Sequence, residues 1–285
     1  MTISEFQALT ASGPVLLDGA TGSNLMKAGM PRGVCAEQWN LDQPDVIYGL
    51  QRAYAEAGSR IVYAPTFTAS APYLAQHGLE DRLEEINASL VALTRKAVDG
   101  RAYVAGDLTT VGRPDVPYEE LLEIYARQAK ALLEAGVDLY VIETMMGLEE
   151  TMAALEACKL VSELPVMCSF SVTADGMLYF GGSIYDAAPQ LEGFGADAVG
   201  INCSCGPDQM AAVVRSLAQS LAIPVIAKPN AGMPVIDDQG NAVYSMGPEE
   251  FAGHMRTLQE AGAKLLGGCC GTDPGYIRAV KSALF

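Results

Sequence analysis

The stretch Glu260-Ala-Gly-Ala-Lys-Leu-Leu-Gly-Gly-Cys-Cys-Gly271 decides the fold, because it joins the end of a helix to a strand and that strand to a loop. A glycine directly after a helix favours the left-handed conformation that ends it. The short apolar run that follows is typical of a buried parallel strand. The same Glu-Ala-Gly signal recurs at Glu56-Ala-Gly58 and Glu134-Ala-Gly136, each just before another apolar run. The chain is therefore predicted to repeat one helix–strand unit.

Eight apolar runs alternate with amphipathic segments along the chain. The predicted strands are Val15–Asp18, Ile61–Thr66, Ala102–Asp107, Leu139–Thr144, Pro165–Ser171, Ala198–Cys203, Pro224–Asn230 and Lys264–Cys270. The predicted helices are Pro44–Ala57, Leu79–Val98, Tyr118–Ala135, Leu148–Val161, Asp186–Phe194, Pro207–Leu221, Pro248–Ala261 and Pro274–Leu284. Eight such units predict an α/β fold, the (β/α)8 TIM barrel. An open doubly wound sheet is the alternative, and it is disfavoured because no Gly-x-Gly-x-x-Gly turn follows an early strand.

Composition excludes several classes of partner. The chain has 285 residues, of which half are hydrophobic, so residues 1–285 are predicted to form one barrel domain. The net charge of −16, without a basic stripe, argues against nucleic acid and anionic membranes as partners. No apolar run approaches the roughly 20 residues of a membrane span, and the N-terminus lacks the pattern of a signal peptide. Seven cysteines without the spacing of a disulfide scaffold predict reduced thiols and a cytoplasmic protein.

Three cysteines lie at the C-terminal ends of predicted strands, where a barrel places its chemistry. Cys269 and Cys270 end the last strand, and Cys203 ends the sixth. Adjacent thiols form a strained disulfide but are good soft ligands, so the three are predicted to bind Zn²⁺ and leave one position open. Cys205 is a weaker candidate, because it lies in the loop before a proline.

A zinc ion with three thiolates carries a charge near −1 and is a weak Lewis acid, poorly suited to making hydroxide from water. It can instead bind a substrate thiol and help that thiol to lose its proton. A free thiol has a pKa of about 8.5, so little of it is ionised at neutral pH. Attack of the bound sulfur on an electrophilic carbon, such as an activated methyl group, is the predicted reaction.

If the substrate is a thiol amino acid, its ammonium needs a carboxylate. Glu143 and Asp18 are the strand-end carboxylates chosen for that role. Asn230 and the main-chain N–H groups of Gly19–Gly22 are the candidates for holding the substrate carboxylate.

The chain resembles the homocysteine S-methyltransferase family, and within it the homocysteine-binding module of cobalamin-dependent methionine synthase. The resemblance covers nearly the whole chain. It rests on Leu17-Asp-Gly-Ala-Thr-Gly22, Ala57-Gly58, Thr66-Phe67, Gly106-Asp107, Glu143-Thr144, Gly200-Ile-Asn-Cys-Ser204, Pro229-Asn-Ala-Gly232 and Gly267-Gly-Cys-Cys-Gly-Thr272. The chain departs from the family pattern at Ala64-Pro65 and in the loop Leu108-Thr-Thr-Val-Gly112.

This resemblance implies a zinc-dependent methyltransferase in which Cys203, Cys269 and Cys270 hold the metal and homocysteine accepts the methyl group. It also implies that Asp18 and Glu143 contact the amino-acid end of homocysteine. The favoured methyl donor is a separate methyl-corrinoid protein, and a small sulfonium, S-methylmethionine or S-adenosylmethionine, is the alternative. A zinc barrel that binds a thiol without turnover, or an alkyltransferase for another thiol, are the rival hypotheses.

Overall fold

A ring of short parallel strands surrounded by helices organises this computed structural model, which describes residues 1–237 and 242–285. The strands of the described residues are β1 (Val15–Leu16), β2 (Ile61–Tyr63), β3 (Tyr103–Thr109), β4 (Leu139–Met145), β5 (Val166–Phe170), β6 (Ala198–Asn202), β7 (Val225–Lys228), β8 (Val235–Ile236), β9 (Ala242–Val243) and β10 (Ala263–Leu266). The α-helices are α1 (Ile3–Ala11), α2 (Gly22–Lys27), α3 (Ala36–Asp42), α4 (Pro44–Ala57), α5 (Ala71–Ala75), α6 (Leu83–Val98), α7 (Tyr118–Glu134), α8 (Leu148–Val161), α9 (Ile184–Phe194), α10 (Ala211–Ser220), α11 (Pro248–Glu260) and α12 (Pro274–Leu284).

Eight of the strands form one parallel sheet in the order β1-β10-β7-β6-β5-β4-β3-β2. A parallel bridge between Leu17 and Ile61 joins the two outer strands and closes the sheet. The remaining strands, β8 and β9, pair with each other in antiparallel fashion in the segment after β7. The predicted TIM barrel is therefore confirmed, and the open doubly wound sheet is wrong.

All eight predicted strands and all eight predicted helices are present. The glycines that were predicted to end helices, Gly58, Gly136 and Gly262, all have positive φ, as a left-handed helix terminus requires. Two predicted helices begin differently: Glu80–Arg82 and Pro207–Gln209 are short 3₁₀ turns that precede α6 and α10.

Sequence reasoning did not identify the helices α1, α2, α3 and α5. The first of them has a readable signal, because Thr2 and Glu5 form a capping box at its start. Phe6 of α1 is buried against the barrel interior, so this helix closes the N-terminal end of the barrel. Helices α2 and α3 are short and lie in the loops after β1, where they have too few turns to give a clear apolar period.

The barrel has two hydrophobic layers. One lies between the strands and the surrounding helices, and it includes Leu16, Val62, Ile142 and Val199. The other fills the inside of the barrel with alternate residues of the same strands, which is what the period of two along a strand dictates. Its members are Phe6, Val15, Leu17, Ile61, Tyr63, Ala105, Leu139, Val141, Met167, Ala198, Ile226 and Leu265.

Candidate active site

The three cysteines predicted from the strand ends meet at the C-terminal face of the barrel. The sulfur atoms of Cys203, Cys269 and Cys270 all lie within 4.8 Å of one another, and those of Cys203 and Cys270 are 3.4 Å apart. Cys203 follows the last residue of β6 and has a φ of 50°, a left-handed conformation that costs energy outside glycine. This backbone conformation directs the chain away from the strand just where the thiol is needed.

The end of β7 and the loop after it hold both cysteine segments through main-chain hydrogen bonds. The N–H of Cys203 donates to the carbonyl of Lys228 at 3.2 Å, and the N–H of Cys269 donates to the carbonyl of Pro229 at 2.7 Å. The N–H of Ala231 donates to the carbonyl of Cys270 at 2.9 Å. Main-chain hydrogen bonds therefore fix the positions of thiols from two different strands.

The donor set fits a zinc ion. Three soft sulfur ligands at these separations can occupy one face of a tetrahedron, in which sulfurs bonded at about 2.3 Å would lie somewhat under 4 Å apart. Hydrogen bonds from the thiols of Cys203 and Cys269 lower the pKa of Cys270, whereas the pKa values of Cys203 and Cys269 are raised, so the metal-free cluster favours one thiolate and two neutral thiols. Within the described part of the chain, no other group of three cysteine, histidine or acidic side chains has this arrangement.

The other cysteines are separate from this cluster. Cys158 and Cys168 are fully buried in the outer hydrophobic layer, and burial raises the pKa of both thiols. Cys205 is also buried in that layer, while its carbonyl accepts a hydrogen bond from the N–H of Asn230. Cys35 lies at the start of α3.

A pocket of about 310 Å³ lies beside the three thiols. The loop Gly19–Gly22 after β1 lines one side, and Ala36, Glu37 and Asn40 of α3 line another. Pro65 and Phe67, which follow β2, complete the apolar part of its wall. The short helix α3 was not expected, so its contribution to the pocket was not expected either.

Polar side chains replace the apolar filling in the upper part of the barrel interior. Four of these residues lie two positions after an inward-facing apolar residue of the same strand, and Asn202 lies four positions after Ala198, so the strand period of two directs all five inward as well. They are Asp107 of β3, Glu143 of β4, Ser169 of β5, Asn202 of β6 and Lys228 of β7, which together we call the upper interior. All five are buried, and Asp107, Glu143 and Lys228 line the pocket.

Lys228 was missed by sequence reasoning. Its ammonium donates to Oδ1 of Asp18 at 2.8 Å, lies 3.8 Å from Oε2 of Glu143, and sits 3.6 Å from the centre of the Tyr63 ring. The other oxygen of Asp18 accepts a hydrogen bond of 2.7 Å from the N–H of Tyr63. The available signal was a lysine inside an otherwise apolar strand, and a buried lysine requires a charged partner.

Asn202 links Glu143 to the rest of the upper interior. Its amide nitrogen donates to Oε2 of Glu143 at 3.2 Å and to the hydroxyl of Thr144 at 2.8 Å. Its amide oxygen accepts from the N–H of Thr144 at 2.9 Å and from the hydroxyl of Ser169 at 3.0 Å. Burial raises the pKa of Glu143 to about 7, although the nearby Lys228 opposes that shift.

Of the four residues predicted to contact the substrate, three line the pocket and one does not. Asp18, Gly19 and Glu143 line the pocket together with the three thiols. A side chain at Gly19 would meet the Tyr54 hydroxyl at 2.7 Å, so glycine is required there for packing. Asn230 is buried but does not belong to the pocket wall, so its predicted contact with a substrate carboxylate stays a prediction.

Glu37 and Asn40 add polar groups that sequence reasoning did not identify. Oε1 of Glu37 accepts hydrogen bonds from the N–H of Thr68 at 3.0 Å and from its hydroxyl at 2.6 Å. These bonds attach α3 to the loop after β2 and give the pocket a wall that closes it from that side.

Among the helices of the described residues, none is both long and apolar enough to span a bilayer.

Comparison with known proteins finds similar sequences among methionine synthases and similar solved structures among homocysteine methyltransferases. The chain is 32% identical to the methionine synthase of Mycobacterium tuberculosis and 31% identical to that of Mycobacterium leprae, in each case over 94% of this chain. It spans only 24% of the length of each of these relatives. Among solved structures, the homocysteine methyltransferase MmuM from Escherichia coli in its oxidized form superposes with a TM-score of 0.81 at 25% identity, over 94% of this chain and 95% of that chain. A metallated form of the same protein superposes equally well, at 24% identity.

The model of the homocysteine S-methyltransferase family matches residues 15–284, which is nearly the entire chain. The resemblance carried by the cysteine motifs and the strand ends is thereby confirmed, and this protein belongs to the homocysteine S-methyltransferase family.

Proposed function

We propose that this chain is a zinc-dependent methyltransferase that converts homocysteine to methionine. The observation that carries the proposal is the meeting of three thiols within 4.8 Å beside a pocket with buried carboxylates. Membership of the homocysteine S-methyltransferase family supports the reaction class.

Cys203, Cys269 and Cys270 are the residues that would hold zinc. When bound, the metal supplies the Lewis acidity that lets a substrate thiol lose its proton at neutral pH. The protein positions the three sulfurs through main-chain hydrogen bonds to Lys228, Pro229 and Ala231, so little reorganisation is needed to accept the metal.

The pocket provides groups for the amino-acid end of homocysteine. Glu143 offers a carboxylate to the substrate ammonium, and Asp18 contributes negative charge from beside it, with Lys228 as its partner. The loop Gly19–Gly22 would receive the substrate carboxylate on its main-chain N–H groups. With that end fixed, the substrate sulfur forms a bond to the methyl carbon as the bond between the methyl group and the donor breaks.

The proposed methyl donor is a separate methyl-corrinoid protein. Support comes from exposed apolar side chains in two segments of the catalytic face: Met177, Tyr179 and Phe180 after β5, and Val235, Ile236 and Val243 on the paired strands β8 and β9. Both segments adjoin the thiols, because Ser171 donates to the carbonyl of Cys203 and Tyr244 contacts the Cys270–Gly271 segment. Exposed apolar surface around a site is typical of a surface that binds another macromolecule. A small sulfonium remains the alternative donor.

The experiment is a donor panel with zinc-loaded protein and homocysteine. Methylcobalamin, a methyl-corrinoid protein, S-methylmethionine and S-adenosylmethionine are supplied separately, and methionine is measured. We expect turnover with the corrinoid donors, and turnover with a sulfonium alone would identify the alternative donor.

Binding without turnover has a different signature in the same experiment. Homocysteine affinity measured by calorimetry, combined with no methionine from any donor, would favour a thiol-binding protein over an enzyme. Competition among other thiols for the zinc-loaded protein would separate homocysteine from another acceptor. Cys158→Ala is the control variant for substitutions of the three clustered cysteines, because Cys158 is buried outside the site.

A further inference from the structure

Two loops of the catalytic face meet beside the pocket. The β1 loop (Gly19–Gly22) lines it from one side, and the cysteine loop after β10 (residues 267–273) lines it with Cys269 and Cys270. The side chain of Thr272 lies between the two loops, is fully buried and does not belong to the pocket wall. A role for Thr272 would therefore be exerted through its neighbours.

The hydroxyl of Thr272 makes one hydrogen bond to each loop. Its oxygen accepts from the N–H of Ala20 in the β1 loop at 3.1 Å, and it donates to the carbonyl of Cys269 at 2.8 Å. A threonine hydroxyl has a single proton, so its donor function is fully used here. Loss of the hydroxyl would take this acceptor from the buried N–H of Ala20, which is costly.

Asn24, in the first turn of α2, makes a second connection between the same loops. Its Nδ2 donates to the carbonyl of Thr272 at 2.8 Å and to the carbonyl of Ala20 at 2.7 Å. The carbonyl of Ala20 also accepts from the hydroxyl of Tyr54 at 2.7 Å. The start of α2, the β1 loop and the cysteine loop are thus held by one network of hydrogen bonds.

Close packing accompanies these bonds. A side chain at Gly268 would collide with the side chain of Thr272, so only glycine fits there. The N–H of Gly268 donates to the carbonyl of Asp18 at 2.9 Å, and the N–H of Gly271 donates to the hydroxyl of Ser23 at 3.2 Å. The β1 loop and the cysteine loop therefore form a single packed unit.

This unit carries two of the binding sites of the proposed function. Zinc would fix Cys269 and Cys270, and the substrate carboxylate would fix the main-chain N–H groups of the β1 loop. When one ligand orders a unit that both ligands share, less ordering opposes the binding of the second ligand. Each ligand should then raise the affinity for the other.

We infer that Thr272 is a positioning residue that couples zinc binding to binding of the amino-acid end of the substrate. The inference rests on the proposed function, because it requires zinc at the three cysteines and a carboxylate at the β1 loop. Thr272 acts through Cys269 and Ala20. By linkage, zinc raises the ligand affinity by the same factor by which the ligand raises the zinc affinity.

The test measures this factor with norleucine, in which a methylene group replaces the sulfur of methionine, so that its side chain cannot coordinate the metal. Dissociation constants are measured by calorimetry on reduced protein with and without one equivalent of zinc. We expect zinc to raise the norleucine affinity of the wild type by about 5-fold or more, and that of Thr272→Val by less than about 2-fold. Competition with a chromophoric chelator, with and without norleucine, should return the same factors for zinc.

Three further variants complete the design. Thr272→Ser retains the hydroxyl and should retain the coupling, a rescue that a purely steric role would not give. Thr94→Val is the matched control, because it removes an equally buried hydroxyl that donates to the carbonyl of Leu90 within α6, and it should leave the coupling unchanged. Asn24→Ala removes the second connection and should also reduce the coupling, which keeps the test decisive if Thr272→Val does not fold.

The coupling factor distinguishes positioning from a general contribution to stability. If both affinities fell in Thr272→Val while the factor stayed at the wild-type value, the inference would be overturned. Absence of coupling in the wild type would overturn it as well. Failure of the wild type to bind zinc or homocysteine would instead overturn the proposed function, and the inference with it, so the two failures are distinguishable.

Discussion

The lower and upper halves of the barrel interior are built from the same strands but by different physics. In the lower half, residues such as Leu139, Met167 and Leu265 are fully buried and apolar. In the upper interior, Asp107, Glu143, Ser169, Asn202 and Lys228 are buried and polar. Two residues along one strand separate an aliphatic side chain from a charged one, as in Ile226 and Lys228.

The apolar lower half contributes mainly to stability, whereas the polar upper interior contributes mainly to the candidate site. Burial of apolar area stabilises the lower half by roughly 25 cal/mol per Å². Buried polar groups contribute little net stability even when every atom is partnered, and they cost free energy when one is not. The upper interior leaves Oδ1 of Asp107 without a hydrogen-bond partner among the described residues, a cost that the apolar lower half does not carry.

The largest expected effect of a single substitution is at the three clustered cysteines, which are the proposed zinc ligands. Cys269→Ala removes one of three ligands, so we expect zinc to be lost and methyl transfer to fall by at least about 10³-fold, while the thermal midpoint of the metal-free protein stays unchanged. Elemental analysis, a methionine assay and thermal unfolding measure these three quantities. Collapse of the fold in this variant would contradict the division between the two halves.

Substitution of Lys228 tests whether the buried charges of the upper interior depend on one another. Lys228→Met leaves Asp18 buried without its cation, and removing one member of a buried pair typically costs about 3–5 kcal/mol in the free energy of unfolding. The double variant Asp18→Asn with Lys228→Met removes both charges, and we expect it to regain a large part of that loss. Urea unfolding gives both values, and additive losses would show that the pair is not coupled.

Substitution of Leu139 tests whether the lower half contributes to stability without affecting the candidate site. Leu139→Ala creates a cavity in the barrel interior and should reduce the free energy of unfolding by about 2–5 kcal/mol. Zinc content and homocysteine affinity should remain at wild-type values, because the residue is remote from the pocket wall. Loss of zinc in a folded Leu139→Ala protein would mean that the two halves are not separable.

Titration of Glu143 in the upper interior should make ligand affinity depend on pH. Its pKa is raised to about 7 by burial, so it is a carboxylate above pH 7 and protonated below. Binding of an ammonium requires the carboxylate, so affinity should fall by about 10-fold from pH 8 to pH 6. Methionine is the probe, since it has no thiol to titrate. Glu143→Gln should flatten the profile, and a flat wild-type profile would contradict the role of Glu143.

The smallest effect is expected at Cys205. This cysteine is buried in the outer layer, apart from the three-sulfur cluster. Cys205→Ala should retain one zinc per chain and full activity, with a loss of about 1 kcal/mol or less from the small cavity. Zinc loss in this variant would show that the ligand set has been assigned incorrectly.

Local patterns explain why much of the fold was predictable. The helices Pro44–Ala57, Leu148–Val161 and Pro274–Leu284 were predicted at the bounds that the structure gives. Proline at a helix start and glycine at its end act within a few residues, and so does an apolar run between them. Short elements such as α3 were missed, because seven residues do not establish a period.

The candidate site was predicted in part for the same reason. Cys203 and Cys269-Cys270 could be found because cysteine is unusual at strand ends, and barrel strands end at a common face. The pairing of Lys228 with Asp18 joins residues 210 positions apart, and no local pattern indicates it. Asn230 illustrates the opposite case, since it follows a strand but lies outside the pocket wall.

By itself, the sequence determined the eight strands and eight helices of the repeating units, the barrel that they form, and the three thiols at its C-terminal face. Periodicity, capping and residue chemistry are local properties, and closure of eight parallel strands brings their ends together. Only the tertiary structure decided which carboxylate has a cation and which is left open. That choice depends on distances across the barrel, because a charge is stabilised by whatever partner the fold places within about 3 Å of it.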